Sequence, residues 1–505
     1  MTQPSRLLSL AVAASVAIAI LAPARVYGAP GHAGYQGTIT MYAGGYNPPA
    51  AVAKVPGQTA VNHFALQTLA MQWQRTHPGV HIKFVSLPAQ GSDLFAILRT
   101  RLTGGTAPDI FFFQPSQQDT FLRANLILDL TPYVNSPTPY VKGNKRWQDV
   151  FLPPWSTYAR TTAGQYATVP QDLVSTGVFY NAAVAKKLGL HLPPSSFAAF
   201  LADLKKAKAA GYLPFDAPNW GLIPWYSASL APLFMAKTVA TYATLSYHAD
   251  FIPGVMTTED WARAVTKLGY RPSKDAGFIA AYSTLKDWSQ YFAPGWSTPN
   301  AGNPDQLFAN GRLLFYWNGT WFAPQLKQQK LSFSYASFWF PAVTKTTSPE
   351  VAKAGIPYGV GGYGGVSYSV AHSLAGSPKL PLVIDWLRFI TSPGPDGQIV
   401  NEAPGLLPAA RGVSGDPAIA SLFVGEAQNE KTGGNQPLSF FVNGPFTTDD
   451  TGAWQRYTTL YMQGAMTAAA YYSRMDDLFT HSAAALIAQN DKAKNTAGTW
   501  DLTKW

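Results

Sequence analysis

Apolar and polar positions alternate along "GTITMYAG", Gly37 to Gly44, and the alternation stops at Gly44-Gly45, which predicts a strand ending in a tight turn. From Gln58 to Thr76 the apolar positions fall instead on a stripe that includes Phe64, Leu69 and Trp73, as on a helix. "VHIKFVSLP" returns to a strand. "SDLFAILRTRLTGG" is a second helix, with Ser92 or Asp93 to cap it and Gly104 to close it. In "PDIFFF" the apolar run from Ile110 to Phe113 is unbroken, as in a strand covered on both faces of a parallel sheet. Strands that alternate with helices imply such a sheet, and ligands collect outside the carboxyl ends of its strands. Gln114 and Ser116 stand at that end of the third strand.

A second α/β unit begins at "STGVFYNAAVAKKLGL", strand into helix. The next helix has Ser195 or Ser196 as cap, a face of Phe197, Phe200, Leu201 and Leu204, and Gly211 past its end. Helices are expected from Thr258 to Leu268, Ala276 to Phe292 and Pro304 to Asn310. "RLLFYWNG" and "GGVSYSVA" read as strands, and "PLVIDWLRFITS" as a helix ended by Pro393. Asp450 to Gln489 reads as one or two Ala-rich helices. In "PNWGLIPWYS" a glycine and two prolines argue against a regular helix.

Length and composition narrow the class. At 505 residues the chain exceeds what one hydrophobic core organises, so two domains are expected, and 47% hydrophobic residues suffice to fill both. The 15 Trp and 25 Tyr favour places with one apolar face and one wet edge, as in a ligand groove. Charged residues make up 13%, about half the usual share. The net charge of +10 comes from scattered cations with no Lys/Arg-rich run, so no nucleic-acid groove is expected. A scarcity of carboxylates suits an acidic exterior.

Residues 1–28 read as a secretory signal, with Arg6, an apolar run from Leu7 to Ala22, and Val26-Tyr27-Gly28 at the cleavage positions. That run is shorter than the roughly 20 residues that span a bilayer core. Without cysteine, disulfides, thiolate metal sites and a lipid-modified cysteine are excluded. The mature chain is therefore expected to be exported, periplasmic or at the cell surface.

Four segments, in order, resemble the extracellular solute-binding proteins of carbohydrate ABC importers, the maltose-binding-protein-like class: "GGTAPDIFFFQ…FLRANLILDLTPYV", "VFYNAAVAKKLGLHLPPSSFAAFLADLKKAK", "LFANGRLLFYWNGTWFAPQL" and "WLRFITSPGPDGQIVNEAPGLLPA". The resemblance implies a two-lobed periplasmic-binding-protein-like fold of type II. Each lobe is then a mixed or parallel sheet flanked by helices, with the ligand in the cleft between lobes. Carried onto this chain, lobe one holds residues 35–170 plus 344–408, and lobe two holds 171–343 plus 409–505. The segment "NWGLIPWYSASLAPLFMAKTVATYATLSYHADF" is longer than in the family.

A sugar offers apolar C–H faces and a rim of hydroxyls, so its site needs aromatic platforms and planar polar side chains. Trp220 and Trp225 are candidate platforms, and either could instead cap the lobe-two core. In "YWNGTW" the resemblance points to Trp321 as a stacking residue, with Trp317 and Asn318 nearby; Trp317 is the one better suited to the core. In "GVGGYGGVSYSV" Gly362 permits a close backbone approach and Tyr363 can stack; the segment lacks the Lys-Ser/Thr of a phosphate loop, and no cofactor is expected. Tyr46, Gln90 and Gln114 follow the first three strands. Asp172 falls where the resemblance places the first hinge crossing, and is either a hydroxyl acceptor or a loop-ordering acid.

The function implied is capture of a carbohydrate and its delivery to permease transmembrane subunits with a cytoplasmic ATPase, by a monomer without catalysis. A secreted glycoside hydrolase would need two carboxylates about 5 to 9 Å apart, and no pair is nominated. "HPGVH" spaces His77 and His81 like metal ligands, but Pro78-Gly79 breaks the helix that would align them, and no metal site is expected. No G-x-S-x-G occurs. A binding protein for a polyamine or a peptide stays open.

Overall fold

The computed structural model describes residues 35–51, 63–87, 92–114, 117–152, 160–161, 163–174, 176–243, 256–298, 303–329, 331–351, 362–363, 365–402, 406–415, 417, 444–492 and 498–505. Its strands are β1 (Gly37–Tyr42), β2 (Val80–Phe84), β3 (Ile110–Phe112), β4 (Val169–Pro170), β5 (Asp172–Val174), β6 (Thr176–Asn181), β7 (Leu213–Asp216), β8 (Leu313–Gly319), β9 (Tyr335–Phe338), β10 (Gly362–Tyr363), β11 (Ser367–Val370) and β12 (Leu407–Pro408).

Lobe one is built on the sheet β2-β1-β3-β11-β4. β1 pairs with β2 and β3 in parallel, and β11 runs antiparallel to β3 and β4. Parallel neighbours need crossover helices, and Ala65–Gln74 and Ser92–Thr103 supply them. The first turns Leu66, Leu69, Ala70 and Trp73 inward. β3 is covered on both faces, as its unbroken apolar run predicts: Ile110 enters one core cluster and Phe111 another.

Lobe two carries the sheet β7-β8-β6-β9, with β7 and β8 parallel and β6 antiparallel to both β8 and β9. Helices Phe197–Ala209, Thr258–Thr266, Ala276–Ser289, Thr448–Met462 and Ala468–Asp491 contribute to its largest core cluster. Ser196 caps the first of these by accepting from Ala199 N–H at 3.1 Å. The lobe-two core extends to Val351 and the lobe-one core takes in Ala409 and Ala410, so the boundaries expected at 343/344 and 408/409 fall short of these cores. Between the lobes, the short sheet β10-β5-β12 joins three crossing segments: Tyr363 and Leu407 both pair with Leu173.

Three local expectations are corrected. Asn219–Ser229 is a helix despite Pro224 inside it. Proline there costs about 3 kcal/mol, whereas burying each of Leu222, Ile223, Trp225 and Tyr226 gains roughly 1.5–3 kcal/mol, so packing overrides propensity. The carbonyl of Trp220 loses its helical donor to the proline. Pro393 does more than stop a helix. It opens the next one, Pro393–Glu402, at the position where its missing N–H costs nothing. At the end of Ser92–Thr103 the left-handed residue is Gly105, not Gly104.

Candidate functional site

In lobe one the chain order places β2 on one side of β1 and β3 on the other, so the switch point lies between β1 and β3. Gly44 turns the backbone there with φ +60°, and a Cβ at this position would lie 3.0 Å from Phe112 Cβ and Cγ. The loop after β1 therefore presses directly on the end of β3. Tyr46 ends the short 3-10 turn Gly44–Tyr46 with its ring buried, and its hydroxyl donates to Asp172 Oδ2 at 2.8 Å. Gln114 stands exposed at the carboxyl end of β3. Gln90 lies outside the described residues.

Asp172, on β5, is 0% exposed. Its Oδ1 accepts Val366 N–H at 2.9 Å, and Gly365 comes so close that a Cβ would lie 3.0 Å from that oxygen. Burial pushes the carboxyl up to about 7, against hydrogen bonds from Val366, Tyr46 and Gly365 that favour the charged form. In this conformation it ties hinge segments together and presents no free acceptor. Asp396 is a second buried acid held well above the carboxylate range by burial; its oxygens accept Gln171 Nε2 at 2.6 Å and Ala410 N–H at 2.9 Å. Gly362 and Tyr363 lie on β10 opposite Val174 and Leu173, and the Tyr363 side chain is outside what is described.

Lobe two gathers four tryptophans from two distant stretches of chain. Trp220 and Trp225 come from the helix Asn219–Ser229, and Trp317 and Trp321 from β8 and the turn beyond it. Trp225 meets Trp220 edge-on at 5.1 Å, Trp321 at 6.1 Å and Trp317 at 5.4 Å. Trp220 and Trp321 lie 6.5 Å apart with planes 29° from parallel. Trp220 is 62% exposed and Trp321 is half-buried, while Trp225 is buried and Trp317 is sealed at 0%. The outer pair thus forms a platform on an inner pair that belongs to the core. Gly319, at the end of β8, pairs with Thr176, which stands two residues after the last residue of β5, so the platform rises from the hinge end of the sheet.

Asn318 is buried, with its amide nitrogen donating to Asp305 Oδ1 at 3.1 Å, and the Tyr316 hydroxyl donates to the same oxygen at 2.5 Å. Beside Tyr316 across the β7–β8 pair stands Asp216, 2% exposed and pushed up to about 7 by burial. Its Oδ1 accepts Ala217 N–H at 2.8 Å. The sequence nominated neither Asp216 nor Asp305; an acid closing a strand, as in "LPFD", was the available signal. Elsewhere in lobe two, cavities of about 360 and 660 Å³ share no residue with the tryptophan group. Among the described residues, no cluster of three or more metal-ligating side chains occurs.

Two α/β lobes, each with its own sheet, joined by crossing strands and carrying an aromatic platform at the hinge end, define the type II periplasmic-binding-protein-like fold. Residues 63–396 match the family model described as bacterial extracellular solute-binding protein, and the chain belongs to that family. Its members carry a ligand rather than transform it. The chain is 24% identical over 285 residues to the multiple sugar-binding protein of Streptococcus mutans, and the match spans 55% of this chain and 59% of that relative. It is similar in fold to the solute-binding protein RafE in complex with raffinose, with a TM-score of 0.57 at 16% identity over 89% of this chain and 100% of that one. Maltose-bound MalE3 of T. maritima aligns with a TM-score of 0.59 at 15% identity, covering 89% and 99%. Among the described residues, no helix is long and apolar enough to cross a membrane.

Proposed function

We propose that this chain captures a carbohydrate, an oligosaccharide, outside the cell and passes it to the transmembrane subunits of an ABC importer with a cytoplasmic ATPase. The observation that carries the reading is the near-parallel pair Trp220 and Trp321 at the hinge end of lobe two, with Trp220 largely open. Two indole planes offset in this way suit the apolar faces of successive sugar rings. Opposite polar partners would come from the loops at the β1/β3 switch point, where Gln114 is exposed. Ligand that prefers the closed arrangement would draw the lobes together about the three crossing strands. The sugars named for its relatives support this class of ligand.

We read lobe one as residues 35–170 plus the segment from the return crossing through Ala410, and lobe two as the remainder, acting as a monomer at the cell exterior. A thermal-shift screen against raffinose, stachyose, maltose, xylo-oligosaccharides and chitin oligosaccharides tests the function. A ligand that binds the folded state raises its melting temperature. A shift with at least one sugar, with that sugar recovered intact, is expected. No shift with any of them, or release of new reducing ends, would overturn the reading.

A further inference from the structure

His63 stands two residues before the helix Ala65–Gln74, next to its N-cap Phe64; no motif marks it, and it is 8% exposed. Its ring meets Tyr46 edge-on, centroids 6.1 Å apart and planes 65° from parallel. Nδ1 is buried and has no hydrogen-bond partner. Glu402, which faces the ring electrostatically, is already engaged: its two oxygens accept Phe64 N–H and Ala65 N–H at 2.8 Å each. Burial holds the imidazole below its usual range against the pull of Glu402, so the ring is neutral and carries one hydrogen. An orphaned buried N–H is rarer than an orphaned acceptor. That preference leaves Nδ1 bare and sets the hydrogen on Nε2.

The position is one the topology makes significant. β1 leads out at its carboxyl end into the turn Gly44–Tyr46, and the chain comes back through His63 into the crossover helix that precedes β2. Tyr46 and His63 therefore belong to one strand-to-helix connection, beside the β1/β3 switch point where an open sheet takes its ligand. Tyr46 is tied to Asp172 by its hydroxyl, and the His63 ring packs edge-on against it. We propose that His63 is a ligand-contacting residue of lobe one, whose Nε2–H donates to an oxygen of the bound carbohydrate. The proposal rests on the carbohydrate reading above and adds a specificity-determining donor to it.

Calorimetric titration of the full chain tests it, with raffinose as first probe and otherwise the sugar of the panel that gives the largest thermal shift. His63→Phe keeps a flat ring in the slot and removes both nitrogens. His63→Gln keeps an N–H near the place of Nε2. One neutral hydrogen bond corresponds to a weakening of about fivefold, so the Phe variant is expected to lose that much or more and the Gln variant to stay within about twofold of the parent. Equal affinity of the Phe variant and the parent, or equal losses in both variants at unchanged melting temperature, would overturn the proposal. Weakening by Trp321→Ala alongside an unaffected His63→Phe would leave the carbohydrate reading standing and remove His63 from it. Absence of binding by the parent to every sugar would remove both.

Discussion

The Tyr46 hydroxyl donates to Asp172 Oδ2 at 2.8 Å, fastening the turn after β1 to the strand that crosses between the lobes. Both groups are buried, so neither finds water if the other is removed. Tyr46→Phe therefore leaves Asp172 Oδ2 without this donor, at a cost of about 1–3 kcal/mol in urea unfolding. It also removes a bond that favours the charged carboxylate, so the Asp172 carboxyl is expected to titrate above its present value of about 7 when followed by carbonyl NMR. Unchanged stability and an unchanged titration would show that the bond does not hold the hinge.

Buried acids tilt stability toward acid pH, against His63, which burial lowers and whose contribution is lost as pH falls through its folded value. Asp172 and Asp216 are each pushed up to about 7 by burial, and Asp396 is raised well above the carboxylate range. Unfolded aspartates titrate near ~4, so the folded state binds more protons between about 4 and 7. The contribution of these acids is full below about 4 and is lost as pH rises through the folded values. His77 acts in the same direction. Burial alone would lower it, but bonding to Asp385 and to the Trp73 carbonyl raises it, so its contribution fades as pH climbs through its folded value. Asp385 is opposed by burial yet lowered by His77, Tyr140 and Trp73, and its contribution is lost only as pH falls through its lowered folded value. The melting temperature is expected to be higher at pH 5 than at pH 8, in keeping with a surface poor in carboxylates. A profile that is flat or rises toward pH 8 would refute this.

Alternating periods were enough to read the parallel strands of lobe one, because β1, β2 and β3 and their crossover helices are local patterns and "PDIFFF" announces burial on both faces, whereas the two-lobed arrangement rested on the resemblance of four segments to a known family. The platform was legible only in part. Trp220 and Trp321 are about a hundred residues apart, and their stacking depends on a helix that Pro224 argued against and packing imposed. Trp317 and Trp321 stand four residues apart in "YWNGTW": β8 buries every one of its residues, Trp317 included, whereas Trp321 lies past the strand end. His63 carries no motif at all, and Asp216 only the signal of an acid that closes a strand in "LPFD". What distinguishes them is burial with too few partners, which exists only once the chain has folded.

The two tryptophans of that turn should separate stability from binding. Trp317 packs at 5.4 Å on Trp225, 6.3 Å on Trp288 and 4.8 Å on Phe340, so Trp317→Ala is expected to cost about 3–5 kcal/mol of unfolding free energy. Trp321→Ala removes a half-buried indole, should leave the unfolding midpoint close to that of the parent, and should weaken the best sugar of the panel by about tenfold or more, roughly 1.4 kcal/mol. Titration and denaturant melts on both variants check the pair. If Trp321→Ala binds as the parent does, the platform is not where sugar sits.

Gly319 gives the platform its seat. A Cβ at this position would lie 2.2 Å from two ring carbons of Trp321, far inside contact distance, while the strand itself is held by pairing with Thr176. The half-buried indole is the part free to yield. Gly319→Ala is therefore expected to swing Trp321 away from its 6.5 Å stack on Trp220 and to reproduce the tenfold binding loss of Trp321→Ala with the indole still present. Gly452→Ala is the matched control: it lies inside the helix Thr448–Met462 with open space where a Cβ would stand, and should stabilise the chain by about 0.4–1 kcal/mol without touching affinity. Tryptophan fluorescence reports the displaced ring and titration reports the affinity. A Gly319→Ala protein that binds sugar normally would mean that the seat of Trp321 does not matter to the ligand, whatever the indole itself contributes.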